Sequence, residues 1–240
     1  MRTYILLGVL AFLVFALVLM PASVARPATN RVDGLAMRAV GGTLWDGQAN
    51  LAYRGEGIGT LAWTFMPRGL LDGEVRVRWR LSDADLDLSG IAAQGFGHAL
   101  LNVSGHVGAV AANRVLGRYD IAIDGDFEAT DVALVSDGSV RASGAIAWSG
   151  GRTFYRLSGQ NYDTALPAMV AEVRTIDGEH TFEAKLADVS AAPLIRARLK
   201  STGWIEIGLT RRFVTLAGKP WPMAGDDDAV VLTVEEQLFR

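Results

Sequence analysis

Apolar and charged residues alternate without a break over residues 74–81, and this pattern restricts the fold more than any other feature of the chain. One set of alternate positions is Val75, Val77, Trp79 and Leu81, and the other is Glu74, Arg76, Arg78 and Arg80. A period of two places successive side chains on opposite faces of a strand. The segment therefore predicts a strand in a sheet with one buried and one exposed face.

The alternation returns at residues 83–88 with the opposite parity, so that even-numbered positions are now apolar. A two-residue turn at Ser82 and Asp83 predicts a hairpin with the pairs Trp79 with Leu86, Val77 with Leu88, Arg80 with Asp85 and Arg78 with Asp87. Cross-strand pairs of this kind contribute about 0.2 to 1 kcal/mol each. Ser-Asp is a poor sequence for a primed turn, so the alternative is one long strand with a bulge where the parity changes.

A second hairpin is predicted around Asp177 and Gly178, because this dipeptide supplies the positive φ angles that a type I′ turn requires. The predicted partners are Val173 with Phe182, Ala171 with Ala184 and Met169 with Leu186. All six side chains then lie on one apolar face.

Further apolar repeats indicate additional strands, and only residues 110–116 are expected to form a short helix. The predicted fold class is all-β, with one or more curved, mostly antiparallel, one-faced sheets preceded by a single N-terminal transmembrane helix. The apolar side of such a sheet must be buried by folding over, by another sheet or by a ligand.

The N-terminal segment, residues 4–20, contains no charged residue and is followed by Pro21. As a helix it spans about 26 Å, close to the bilayer core of about 30 Å, which predicts a retained anchor. The alternative is a cleaved signal peptide, since Ser23, Val24 and Ala25 resemble a cleavage site, although the apolar run exceeds the usual length of about 7 to 15 residues. Both alternatives export the chain beyond the segment.

The predicted organisation has three parts. Residues 1–25 form the membrane anchor or an uncleaved signal-like segment, residues 26–220 form a periplasmic β-domain, and residues 221–240 form a C-terminal loop with a possible edge strand. All-β domains often reach about 200 to 250 residues without splitting, so one domain accommodates the 240-residue chain.

Composition excludes several classes of function. The net charge of -3 argues against a nucleic-acid partner, because phosphate binding depends on clustered excess Lys and Arg. The chain has no cysteine, which excludes disulfides, thiolate zinc sites and a cysteine nucleophile.

Candidate chemical sites are weak. Asp83, Asp85 and Asp87 have the spacing of the first calcium ligands of an EF-hand, but the required glycine and glutamate are missing further on. We interpret His98 and His106 as residues of a strand face, and no Gly-x-Ser-x-Gly motif supports a hydrolase. The sequence therefore predicts no catalytic, cofactor-binding or metal-binding residue, no cofactor and no enzymatic activity.

Three short motifs follow the apolar segment in order. The first is the glycine-bracketed turn at residues 42–47 with Gly42, Thr43, Leu44, Trp45 and Gly47; the others contain Trp63 and Trp148. In this order they resemble the type II secretion system protein N family, the general secretion pathway protein N of the bacterial inner membrane. We expect these seven residues to be structural.

The resemblance implies an accessory component of the type II secretion system in the bacterial cell inner membrane. It implies a single-pass protein with its C-terminal domain in the periplasm, whose partners are other secretion components and which acts by protein–protein contacts. The alternative is an AsmA-like periplasmic lipid-binding or lipid-transfer protein, with lipid on the apolar sheet face.

Overall fold

The structure is a computed structural model that describes residues 19–24, 34–157, 159–188, 192–200, 202–219, 221–223 and 225–237. Within these ranges, strands dominate and helices are few. The strands are β1 (Leu35–Gly42), β2 (Asp46–Tyr53), β3 (Glu56–Phe65), β4 (Glu74–Asp83), β5 (Leu86–Gly95), β6 (Ala99–Val107), β7 (Ile121–Ile123), β8 (Phe127–Ser136), β9 (Val140–Trp148), β10 (Gly151–Leu157), β11 (Gln160–Leu166), β12 (Met169–Ile176), β13 (Glu179–Leu186), β14 (Ile195–Leu199), β15 (Trp204–Thr210) and β16 (Val230–Gln237).

Thirteen of these strands form one antiparallel sheet in strict chain order, from β1 at one edge to β16 at the other. Strands β7, β10 and β11 are left out of this order and form a separate three-stranded sheet. Short connections favour pairing between sequence neighbours, which is why the large sheet is a continuous meander. The predicted all-β fold with a large antiparallel sheet is confirmed.

Two helices interrupt the strands. Helix α1 is Ala109–Leu116, which confirms the predicted short helix, and helix α2 is Arg211–Leu216, which the sequence analysis missed. Two 3-10 helices, Pro67–Asp72 and Gly117–Tyr119, and a short 3-10 segment at residues 22–24 complete the helical structure of the described residues.

The meander gives the large sheet two ends of different construction. The turn end consists of the connections at residues 43–45, 66–73, 96–98, 137–139, 177–178 and 200–203, all of which link neighbouring strands directly. The capped end, at the opposite strand termini, has direct turns at residues 54–55 and 84–85 and also the longer connections that contain α1, β7, β10, β11 and α2. Function at the two ends must therefore be considered separately.

The largest hydrophobic core lies at the capped end. Its buried members are Ile123, Trp148, Leu166, Met169 and Leu194, and partly buried residues of both helices pack against them. Trp148 and Met169 are directly paired across β9 and β12, whereas Ile123 and Leu166 come from the small sheet. The small sheet and the helices thus cover the large sheet at this end.

The large sheet is strongly curved. Arg118, which follows α1, places its guanidinium 5.2 Å from the ring centre of Tyr53 on β2. The adjacent Tyr119 hydroxyl is 3.3 Å from the Glu236 carboxylate on β16, to which it donates a hydrogen bond. A flat sheet would separate β2 from β16 by about 50 Å at a spacing of about 4.8 Å per strand. Two consecutive residues can contact both strands only because the sheet curves.

The hairpin around Asp177 and Gly178 is confirmed in its predicted register. Met169 pairs with Leu186, Ala171 with Ala184 and Val173 with Phe182. Asp177 and Gly178 have φ angles of 52° and 81°, as the type I′ turn requires.

The predicted register of the first hairpin is wrong. The turn lies at Ala84 and Asp85 instead of Ser82 and Asp83, so that Leu81 pairs with Leu88 and Trp79 with Gly90. The apolar parity was assigned correctly, and the shift follows from a contact distant in sequence. The Asp85 carboxylate accepts a 2.8 Å hydrogen bond from the Val110 amide at the start of α1. That acceptor is available because Asp85 lies in the turn.

The predicted N-terminal anchor falls almost entirely outside the described residues, of which only 19–24 belong to this region. Within the part of the chain that the structure describes, no helix has both the length and the hydropathy to cross a membrane.

Candidate interaction surfaces

The connection between β1 and β2 holds the chain that follows the apolar segment. The Leu44 amide donates to the Met20 carbonyl at 2.8 Å, and Pro21 forms an isolated antiparallel bridge with Thr43. The turn is closed by a 2.8 Å hydrogen bond from the Thr43 amide to the Asp46 carbonyl. Gly42 adopts a φ angle of 82°, where a side chain would be strained. Met20 is thereby fixed at the turn end.

Trp63 packs beneath this connection. Its indole Nε1 donates to the Leu44 carbonyl at 3.1 Å, and its side chain forms a buried cluster with Ala22 and Ala49, here called the Trp63 cluster. A Cβ at Gly47 would lie 2.5 Å from Cζ2 of Trp63, so the close packing requires glycine. We infer that the first two motifs act together as a structural unit.

The remaining motif aromatics pack in pairs. Trp45 lies beside Phe65, with ring centres 4.9 Å apart, and the Phe65 amide donates to the Trp45 carbonyl at 2.6 Å. At the capped end, Trp148 stacks on Phe127 at 6.2 Å and donates from Nε1 to the Asp124 carbonyl at 3.1 Å. One family pattern in the sequence contains Trp45, Trp63 and Trp148, but the structure places Trp148 at the opposite end of the sheet from the other two.

Four apolar side chains project from the first half of the turn end, and we call this group the tip patch. Leu71 and Phe96 are 89% and 101% exposed, and the other two members, Leu70 and Val75, are about half-exposed. Leu70 and Leu71 lie in the 3-10 helix between β3 and β4, and Phe96 lies in the turn between β5 and β6. The tip patch is not evident from the sequence, because single apolar residues in loops are common and only the strand directions place these residues at one end of the sheet.

The apolar face is also partly uncovered in the middle of the large sheet. Leu101 on β6 and Leu134 on β8 are paired neighbours, and both remain exposed. They lie between the Trp63 cluster and the capped-end core and belong to neither.

The two edge strands differ in how open they are to further pairing. Strand β1 has a register shift between Arg38 and Gly41, with Ala39 at a φ angle of 49°. Strand β16 pairs only with β15 among the described strands, and its Leu232 and Val234 side chains are exposed. The register shift in β16 lies at its start, between Val230 and Leu232, and residues 232–237 pair regularly with β15, whereas the shift in β1 interrupts the middle of that strand. Since a bulge disrupts a regular edge, β16 is the better template for an added strand.

The opposite face of the sheet is polar and carries ion pairs. Arg80 forms a bidentate contact with Asp87 at 2.6 and 2.8 Å, and this contact lowers the pKa of the Asp87 carboxyl. Lys200 lies between Glu206 and Glu235 at 3.0 and 2.8 Å, and their hydrogen bonds raise the pKa of its ammonium group. Both sets of charges are exposed and screened by solvent, so they contribute little to stability.

The aspartates that resemble calcium ligands have separate protein partners. Asp83 pairs with Arg114 of α1, whose hydrogen bond lowers the pKa of the Asp83 carboxyl. Asp85 accepts hydrogen bonds at the start of α1, and Asp87 pairs with Arg80. The three carboxylates therefore point to different partners, which does not fit one calcium site.

The histidines of the strand faces also contact the protein: His98 lies 3.1 Å from Glu74, and His106 lies 3.6 Å from Glu128.

A cavity of about 450 Å³ lies against the small sheet, between β7, β10 and β11. Its Tyr155 stacks on Tyr162 with ring centres 4.9 Å apart and donates to the Ala217 carbonyl at 2.6 Å. Burial raises the pKa of the Tyr155 hydroxyl. The cavity residue Asp163 pairs with Arg152. These polar groups hold β10, β11 and the residue after α2 together, which is a structural use.

The geometry is that of an extended β-sheet protein with exposed edges and tips. The family model described as Type II secretion system (T2SS), protein N matches residues 33–229. The chain belongs to this family. The resemblance drawn from the sequence motifs is thereby confirmed. No curated protein and no solved structure matches the chain.

Membership of the T2SS protein N family supports an accessory role in type II secretion and a location in the cell envelope. The matched range begins before β1 and ends just before β16, so it includes Ala49 and Trp63 of the Trp63 cluster and the capped end, but not Ala22.

Proposed function

We propose that this protein is an accessory inner-membrane component of the type II secretion system and contributes a periplasmic β-domain to export across the outer membrane. The observation that carries the proposal is the family match over residues 33–229. Its partners are other secretion components, and its mechanism is protein–protein contact without a catalytic step or a cofactor.

In this proposal the N-terminal segment crosses the inner membrane once, and the domain that follows lies in the periplasm. The support is the uncharged run at residues 4–20, which has the length of a membrane-spanning helix. The hydrogen bond between Leu44 and Met20 supports a sheet that begins directly at the membrane surface.

We assign the contact with another secretion component to edge strand β16. An open edge strand presents backbone donors and acceptors, and a partner strand can extend the sheet by pairing with them. Leu232 and Val234 would then be covered by the partner's side chains. The bulge in β1 makes the opposite edge less suited to this contact.

The test replaces the gene by variants and measures the amount of exported protein in the culture medium. Gene removal is expected to abolish export, and unchanged export would contradict the secretion role. V234K is expected to lower export at least several-fold, because an edge lysine opposes strand addition.

The matched control is V140K, on interior strand β9. Val140 is 46% exposed and Val234 is 49% exposed, so the two changes disturb packing to a similar extent. V140K is expected to retain export. Equal losses for both variants would show that the edge has no special part in the contact.

The exposed pair Leu101 and Leu134 favours a second candidate function, in which the apolar face holds lipid acyl chains. Incorporation of a photoactivatable phospholipid into membranes containing the full chain tests this function. Adducts at Leu101 or Leu134 are expected if the face handles lipid. Adducts restricted to the N-terminal segment would contradict it.

A further inference from the structure

The tip patch and the end of the apolar segment occupy the same end of the sheet. Met20 is held by Leu44 in the connection between β1 and β2, and Ala22 is 1% exposed in the Trp63 cluster. The chain therefore leaves the N-terminal segment at the turn end. If that segment is anchored as proposed above, on which this inference rests, the turn end faces the membrane.

The two connections that form the tip patch lie side by side. The Met66 amide donates to the Arg76 carbonyl at 2.8 Å, which fixes the 3-10 helix beside β4. Glu74 at the start of β4 pairs with Gly95, and its carboxylate lies 3.1 Å from His98 in the next connection. At about 4.8 Å per strand, these connections are about 10 and 20 Å from the one that holds Met20.

The most exposed apolar side chains of the turn end lie in the part nearest Met20, whereas Val140, Ile176 and Trp204 beside the later connections are only 40–52% exposed. The later connections contain Asp137 and Gly138 in one case and Asp177 and Gly178 in another. Leu71 and Phe96, in contrast, are almost fully exposed. Exposed contiguous apolar groups mark contact with a protein or a membrane, and this asymmetry follows the position of the membrane segment.

We propose that Leu70, Leu71 and Phe96 insert into the interfacial layer of the bilayer that holds the N-terminal segment. Apolar and aromatic side chains at such positions bury about 5 to 10 Å deep at the boundary between headgroups and acyl chains. Arg68, exposed on the same 3-10 helix, forms no ion pair with any described residue and faces the lipid phosphates. A second attachment beside the anchor fixes the angle at which the sheet stands on the membrane.

The test uses the full chain reconstituted in vesicles of phosphatidylethanolamine and phosphatidylglycerol. Because the chain has no cysteine, single variants L71C and F96C can each be labelled with an environment-sensitive fluorophore. The control is S139C, in the polar connection between β8 and β9. Lipids with a spin label on the upper acyl chain are expected to quench the labels at 71 and 96 at least two-fold more than the label at 139.

Equal, weak quenching at all three positions would overturn the proposal. The proposal would also be overturned if the labels at 71 and 96 were shielded from a water-soluble quencher but were not quenched by the spin-labelled lipid. The latter result would indicate a protein contact. Equal melting temperatures of the variants and the parent show that the labels report on the folded chain.

Vesicle flotation after alkaline extraction separates this proposal from the anchor. If the chain floats but the labels at 71 and 96 are not quenched, the anchor is supported and the insertion of the tips is contradicted. If the chain does not float but the labels at 71 and 96 are quenched before extraction, the anchor is contradicted and the tips are supported as a peripheral membrane contact. If the chain neither floats nor shows quenching, both proposals are contradicted.

Discussion

The two ends of the large sheet are formed by the same strands but completed in different ways. At the capped end, the connections contain helices and a second sheet, and their apolar residues bury Trp148 and Met169. At the turn end, the connections are short, and Leu71 and Phe96 project into solvent. The larger core thus lies at the capped end, whereas the two most exposed large apolar side chains of the described residues lie at the turn end.

This difference shows how a single meander can separate stability from contact. A sheet with one apolar face needs a second layer, and inserted elements supply it only where the chain leaves the strands. The turn end has one buried site of its own, the Trp63 cluster, at the place where Ala22 enters. Outside this cluster, Leu71 and Phe96 are exposed and can meet the membrane or a partner.

The largest expected effect is at the capped end. W148A removes a buried side chain that contacts the capped-end core and donates to Asp124. We expect a loss of about 3 to 5 kcal/mol in the free energy of unfolding, because Trp to Ala leaves a cavity. Equilibrium unfolding of the full chain in urea with mild detergent measures it.

The matched control is W204A, at the start of β15 on the turn end, where the side chain is exposed. W204A should also lower the free energy of unfolding, but its effect should be smaller than that of W148A by at least about 2 kcal/mol. Equal losses would show that burial is not concentrated at the capped end.

A second prediction concerns the one packed site of the turn end. G47A forces a Cβ to within 2.5 Å of the Trp63 ring, and overpacking of this kind costs about 1 to 3 kcal/mol. G41A is the control, because a Cβ at Gly41 meets no atom within 4 Å. Urea unfolding should separate the two variants by more than the error of the method. A negligible cost for G47A would mean that the Trp63 cluster adapts and does not hold the connection rigidly.

Local sequence signals predicted the strands well where the turn itself determines the register. Asp177 and Gly178 fixed the second hairpin, because their φ angles specify a turn without help from distant residues. Asp85 had no such local signal. Its role depends on α1, which follows 25 residues later, and the predicted register was therefore wrong.

The assignment of strands to sheets and the location of the tip patch required the structure. The side chains of β10, including Thr153 and Tyr155, alternate between the two faces as in any strand, so the sequence does not show that β10 lies outside the large sheet. Only long-range packing places it in the small sheet. Likewise, Leu71 and Phe96 are isolated loop residues in sequence. The structural role expected of the motif tryptophans stays a prediction, which W148A tests for Trp148 and G47A tests for the packing of Trp63.

A third, smaller effect is expected where the capped end is joined to the sheet. D85A removes the carboxylate that accepts from the amides of Val110 and Ala111 at 2.8 and 3.4 Å. Loss of a helix N-terminal acceptor costs about 0.5 to 2 kcal/mol. The control D137A, in a polar turn at the other end, removes an exposed ion pair with Arg141 and should cost less than about 0.5 kcal/mol. Urea unfolding at neutral pH distinguishes these outcomes, and equal costs would remove α1 capping as a contribution to the capped end.

The smallest effect concerns pH at the turn end. A hydrogen bond from Arg76 is the main cause that holds the pKa of the Glu74 carboxyl below its ordinary value of 4.5. Because the pKa is lowered in the folded state, Glu74 contributes stability above that ordinary value and loses it as pH falls through the folded value. The melting temperature of the parent should therefore exceed that of E74Q near pH 7, and the difference should shrink below about pH 4.5.

In an R76M background, E74Q should lower the melting temperature less than it does in the parent. The double variant should be little less stable than either single variant, because both changes break the same contact between Glu74 and Arg76. A difference between parent and E74Q that stays constant through the acidic range would show that Glu74 supports the base of the tip patch by packing instead of by charge.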